Sequence, residues 1–112
     1  MKLNEDAKKI IDESSNKGEL GTVLKKISEL LKEQAIQPTD LQWTILINHV
    51  NEMIKRSIAG EQMSGVDPVM FEEVSEEALI IANEVVQHIG NLPQDEMYVL
   101  SIHFETAKQN EG

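Results

Sequence analysis

"PTDLQWTILINHVNEMIKRSIAG", residues 38–60, carries its own start signal. Pro38 stands just outside, Thr39 is a capping residue, and Gln42 follows three positions on, the spacing of a capping box. Ile45, Leu46, Val50, Met53 and Ile54 then recur at helical intervals. The pattern predicts a helix from Thr39 to about residue 58, with one member of its apolar stripe out of character, His49. The arrangement recurs in "YVLSIHFETAK", residues 98–108, where His103 stands among Val99, Leu100, Phe104 and Ala107.

The flanking sequence is helical in both directions. Leu3, Ala7, Ile10 and Ile11 predict a first helix over 3–15, and "NKG" at 16–18 reads as its stop, with Gly18 or Asn16 suited to a left-handed backbone. Leu20, Leu24, Ile27 and Leu31, widened by Val23 and Leu30, predict a second helix over 19–34. Two heptads are too few for a coiled coil. After the histidine-bearing third helix, 59–68 is a loop that ends in Asp67-Pro68, an N-cap and first helical position for one short turn, "PVMFEEV". Ser75 caps a fourth helix whose stripe is Ala78, Ile81, Ala82, Val85 and Ile89. "GNLP" at 90–93 ends it, and Pro93, Asp95 and Glu96 suit the first turn of a fifth helix that runs to 108 and leaves a frayed 109–112. No strand pattern, repeat or low-complexity stretch interrupts this order. The reading is all-α, one five-helix bundle over 1–112.

Composition narrows the function. The chain has 112 residues, enough for one domain with a real core. Its apolar residues are chiefly aliphatic, with only Trp 1, Tyr 1 and Phe 2, which suits helix-on-helix packing. A net charge of −10 offers no basic face for nucleic acid or anionic membrane, and the paired lysines at 8–9 and 25–26 sit among acidic residues. With no cysteine, disulfides, thiol catalysis and thiolate metal sites are excluded. "MKLNEDAKK" has no apolar core of a signal peptide, and no run is long enough to span a membrane, so a cytoplasmic protein is expected.

Three histidines carry the remaining chemistry. His88 falls in the last turn of the fourth helix, where a cationic ring favours the helix dipole and no further role is needed. His49 and His103 differ, because a ring on an apolar stripe is either a packed, partly buried residue or a functional one: metal ligand, general base or phosphate acceptor. A metal site would have to combine them with Glu52 or Glu105, and neither histidine has a second at i+3 or i+4. Nucleophile elbows, phosphate loops and glycine-rich fingerprints are absent. One spacing adds content. Arg56 follows His49 by seven residues and Glu96 precedes His103 by seven, close to two helical turns in each case. If the two helices run antiparallel with their histidines level, Arg56 and Glu96 meet as an ion pair.

"LINHVNEMIKRSIAG", "DPVMFEEVSEEALIIANEVV" and "LPQDEMYVLSIHFETAK" together resemble the phosphotransferase-system regulation domain, the PRD of bacterial antiterminators and activators of sugar operons. The matching positions are His49, Val50 and Arg56, then Asp67 and Pro68, then Glu96 and His103, and the match is clearest over 19–108. The resemblance implies that His49 and His103 accept phosphate from the phosphocarrier HPr or from a sugar-specific permease component. It implies a homodimer with the histidines near the interface, no cofactor and no turnover. Two departures stand out. The family usually has an acidic residue before the first histidine, and here it is Asn48. Members usually carry two such domains with a nucleic-acid-binding domain, so a single stand-alone module is expected, acting by dimerisation or on a partner protein. The other reading of the same scaffold is a helical interaction module whose histidines serve packing alone; a metal-dependent or small-molecule enzyme has the least support.

Overall fold

The structure, a computed structural model, describes residues 3–61 and 66–110. Five α-helices and one short 3₁₀ turn make up the regular structure: α1 Glu5–Glu13, α2 Lys17–Glu33, α3 Asp40–Ala59, the turn Pro68–Phe71, α4 Glu76–Ile89 and α5 Asp95–Lys108. No strand occurs among the described residues. The all-α five-helix bundle expected from the periodicity is therefore the fold.

The helix starts follow local chemistry. The Thr39 hydroxyl accepts from the Gln42 amide at 3.1 Å and the Gln42 side chain accepts from the Thr39 amide at 2.9 Å, so both halves of the capping box form. Asn4, Ser75 and Asp67 likewise accept from backbone amides at the starts of α1, α4 and the 3₁₀ turn. The helix ends are less predictable. α1 stops at Ser14, in extended backbone, whose hydroxyl donates to the buried Asn51 at 2.7 Å. Neither Asn16 nor Gly18 takes the left-handed conformation expected of "NKG"; Asn16 has φ −127° and Gly18 already lies in the first turn of α2. Left-handed backbone occurs instead at Ala35, Gly60, Gly90 and Asn91. Pro93 also lies outside its expected place, in the turn ahead of α5, where its carbonyl accepts from Glu96. Asp95 and Glu96 do occupy the first turn of α5. Of the loop expected over 59–68, residues 62–65 lie outside the described residues.

Every helix contributes to one core, in which Leu20, Ile27, Ile47, Met53, Val85, Leu100 and Phe104 are fully or almost fully enclosed. On α3 the enclosed apolar positions are Trp43, Leu46, Ile47, Val50, Met53 and Ile54. Ile45, expected on that stripe, is 48% exposed. The buried face follows the 43, 46–47, 50, 54 series, which places Ile45 and, one turn later, His49 along its edge. His49 is consequently half-buried, not a core ring.

Candidate functional site

The edge where α3 passes α5 gathers the chemistry. His49 and His103 face each other with ring centroids 4.9 Å apart and planes inclined at 41°. Two turns away, Arg56 and Glu96 also meet, Nε donating to Oε2 at 2.7 Å and Nη2 to Oε1 at 2.8 Å. Both pairs close only if the helices run antiparallel with the histidines level, which is the arrangement the mirrored spacing requires. The guanidinium keeps some solvent contact, 21% of its side chain, whereas the Glu96 side chain has none. A bidentate fork is the strong form of this contact and holds both planes in one orientation.

The ends of the two helices are tied at the same level. The Ser57 hydroxyl donates to the Gly90 carbonyl at 2.7 Å, and the Asn91 amide donates to the Ser57 carbonyl at 2.6 Å. Asn91 makes this contact from left-handed backbone, φ 53°, a conformation asparagine tolerates better than most residues. The α4–α5 connection is thereby fastened to the last turn of α3, beside the ion pair.

Burial sets the charge state of the rings. His49 is lowered from 6.5 to about 4, first by desolvation, then by His103 and Arg56, against smaller opposing contributions from Glu96 and Glu52. Desolvation also lowers His103. Both rings are therefore uncharged at neutral pH, each with a free lone pair on one nitrogen. They are not equally reachable. His49 Nε2 is enclosed and has no hydrogen-bond partner among the described residues. His103, by contrast, borders an opening of about 210 Å³ shared with Gln42, Ile45 and Thr106. Arg56 is held above its ordinary value, chiefly by its hydrogen bond to Glu96, and stays cationic.

The alternative metal site does not assemble. Glu105 accepts from the Ser75 amide at 2.8 Å, and Glu52 pairs with Lys55 at 3.4 Å. Among the described residues no group of three or more His, Cys, Asp or Glu could hold a metal ion. Asn48 is exposed on α3 beside His49 and makes no side-chain hydrogen bond among the described residues. His88 is exposed in the last turn of α4. No described helix is long and apolar enough to cross a membrane.

A family model for the PRD domain matches residues 21–107. The chain belongs to the PRD family. Among solved structures, the PRD is similar to the crystal structure of a PRD-containing transcription regulator from Lactobacillus casei, at 44% identity over 96% of each chain and a TM-score of 0.91. No curated protein matches it. The family match begins inside α2, so α1 lies ahead of it, although the solved relative covers nearly the whole chain.

Some residues at the PRD's histidine edge carried no sequence signal. Gln42 was accounted for by capping, yet it also joins Asn110: Asn110 Nδ2 donates to Gln42 Oε1 at 2.7 Å and Gln42 Nε2 to Asn110 Oδ1 at 3.2 Å. Asn110 donates further to the Gln37 carbonyl at 2.9 Å. The frayed end expected over 109–112 therefore does not hold at Asn110, while residues 111–112 lie outside the described residues. Thr106, one turn after His103, is the second polar residue of the opening. A pairing across 68 residues has no local spacing to announce it.

Proposed function

We propose that this PRD is a phosphoacceptor module that reports sugar-phosphotransferase status, with His103 as the first acceptor and His49 as its companion or second acceptor. The observation that carries this reading is the pair of uncharged imidazoles brought together at 4.9 Å by antiparallel helices clasped at Arg56–Glu96. In the reaction a ring lone pair attacks the phosphorus of a donor phosphohistidine, on HPr or on a sugar-specific permease component. The donor N–P bond breaks as the new one forms; the donor ring takes a proton on its other nitrogen and leaves as neutral imidazole, and the acceptor ring gives up the N–H proton of its other nitrogen to solvent, so the proton count balances. A protonated acceptor has no lone pair for this attack. The opening beside His103 favours it over His49, whose Nε2 is enclosed. Arg56 and Glu96 position the two helices and take no part in the transfer.

The test uses the chain with phosphoenolpyruvate, enzyme I and HPr, read by intact mass and fragmentation. A gain of one phosphoryl group, acid-labile and located at His103 or His49, is expected. No gain would sink the phosphoacceptor reading and leave the module of packed histidines.

The new charge, about −2 near neutral pH, acts on how this edge meets a partner. Leu41, Ile45 and Ile102 are exposed by 66%, 48% and 46%, and Ile45 shares the opening with His103. The reading includes a symmetric dimer across this edge, in which one patch serves both subunits. Transcription, the role named for the solved relative, is then controlled through subunit or partner contacts and not by direct nucleic-acid binding, for which a charge of −10 is unsuited. Ile45→Glu is expected to weaken dimerisation by at least about tenfold, the scale of losing one buried aliphatic side chain, measured by sedimentation velocity over a concentration series. Identical sedimentation of the two proteins would remove the dimer edge from this position.

A further inference from the structure

A phosphoryl group on His103 needs room and hydrogen-bond donors. The opening of about 210 Å³ provides the room, several times the ~30 Å³ that one water occupies in the liquid. Among the described residues no cationic side chain lines it; its walls are Gln42, Ile45, His103 and Thr106. The available side-chain donors are therefore the Gln42 amide and the Thr106 hydroxyl. Thr106 is exposed and makes no other side-chain hydrogen bond among the described residues. Gln42 is engaged. Its Oε1 accepts from the Thr39 backbone at 2.9 Å and from Asn110 at 2.7 Å, and its Nε2 donates to Asn110 at the longer distance of 3.2 Å.

Those contacts join neutral groups. A phosphoryl oxygen is a charged acceptor, and a hydrogen bond to it is roughly twice as strong as one between neutral partners. The amide is one rigid plane, so turning Nε2 towards His103 carries Oε1 away from Asn110 with it. Asn110 would then keep only its bond to the Gln37 carbonyl and its backbone bond to Ala107. The Thr39 amide loses Oε1 as well, and the start of α3 keeps the other half of its capping box, because the Thr39 hydroxyl accepts from the Gln42 backbone and not from its side chain.

We propose that Gln42 is a partner-switching residue: its side-chain amide leaves Asn110 to bind the phosphoryl group carried by His103, and so releases the segment that follows α5. The proposal rests on the phosphoacceptor reading of His103. It adds the receptor for the phosphoryl group and an outlet for the signal within the chain.

The experiment phosphorylates the whole chain in two ways, with HPr as above and with phosphoramidate, a small donor that needs no protein contact. Fragmentation places the group. Amide hydrogen exchange at 107–110 is expected to rise about thirtyfold on phosphorylation, the factor that corresponds to losing the two hydrogen bonds between Gln42 and Asn110 at about 1 kcal/mol each. Asn110→Ala should show the faster exchange beforehand and gain none on phosphorylation. The ³¹P resonance of the phosphohistidine should move in Gln42→Ala and stay in place in Asn110→Ala, which separates contact with the phosphoryl group from a general loosening. Unchanged exchange in a chain shown to carry phosphate on His103, or a ³¹P resonance indifferent to Gln42→Ala, would overturn the switch alone. Failure of both donors to modify His103 would remove the phosphoacceptor reading and the switch together.

Discussion

Replacing Arg56 with alanine is expected to lower the unfolding free energy by about 3–5 kcal/mol, the scale for removing one partner of a buried ion pair. The magnitude follows from what is left behind. The Glu96 side chain is fully enclosed, and its hydrogen bonds among the described residues are the two from Arg56. Without the guanidinium, a carboxylate remains in a low-dielectric site with no donor. Arg56→Lys should recover only part of the loss, because an ammonium cannot reproduce the planar fork. Adding Glu96→Leu to Arg56→Ala should restore at least half of it, since the stranded charge is then gone and an apolar group fills the space. Urea unfolding of the three variants and the wild type measures all of this. A loss below about 1 kcal/mol for Arg56→Ala would mean that the pair behaves as a surface salt bridge and does not hold α3 to α5.

That pair was legible in the sequence for a geometric reason. His49 to Arg56 and Glu96 to His103 are equal steps on two helices, so one contact implies the other once the helices are antiparallel. Helix starts were legible too, because a cap such as Thr39 or Ser75 acts on amides two or three residues away. What failed depended on the rest of the fold. Ile45 fits the apolar period as well as Leu46 does, and only the placement of α5 leaves it on the outer side of the edge. Gly18 resembles a stop, but Ser14 ends α1 first by reaching Asn51, a residue 37 positions away. Asn110 looks like part of a loose tail until Gln37 and Gln42 are seen beside it. The chemical difference between the two histidines was hidden for the same reason, since both stand in similar local patterns and only packing encloses Nε2 of His49.

Acidification should reveal that enclosure directly. His49 titrates near 4 in the folded domain and near 6.5 in the unfolded chain, so below 6.5 the unfolded state takes up the proton first. The stability that follows from keeping this ring neutral is fully present above pH 6.5 and is lost as pH falls from 6.5 towards 4. A lowering of this size corresponds to about 3 kcal/mol across that window. His103 is also lowered by desolvation and works in the same direction, so His49→Gln should flatten the stability–pH curve between 6.5 and 4.5 without levelling it. Two carboxylates with lowered values act at lower pH. Glu105, held below its usual 4.5 by Ser75, and Glu77, held below it by Lys108, lose their contributions only as pH falls below about 4.5. Urea midpoints at intervals from pH 7.5 to 4.5 give the comparison, and parallel curves for wild type and His49→Gln would show that the ring is not held neutral by burial. The same enclosure sets the order of events in the phosphoacceptor reading. A phosphoryl group reaches the enclosed Nε2 of His49 only if the edge between α3 and α5 opens, whereas His103 already borders an opening.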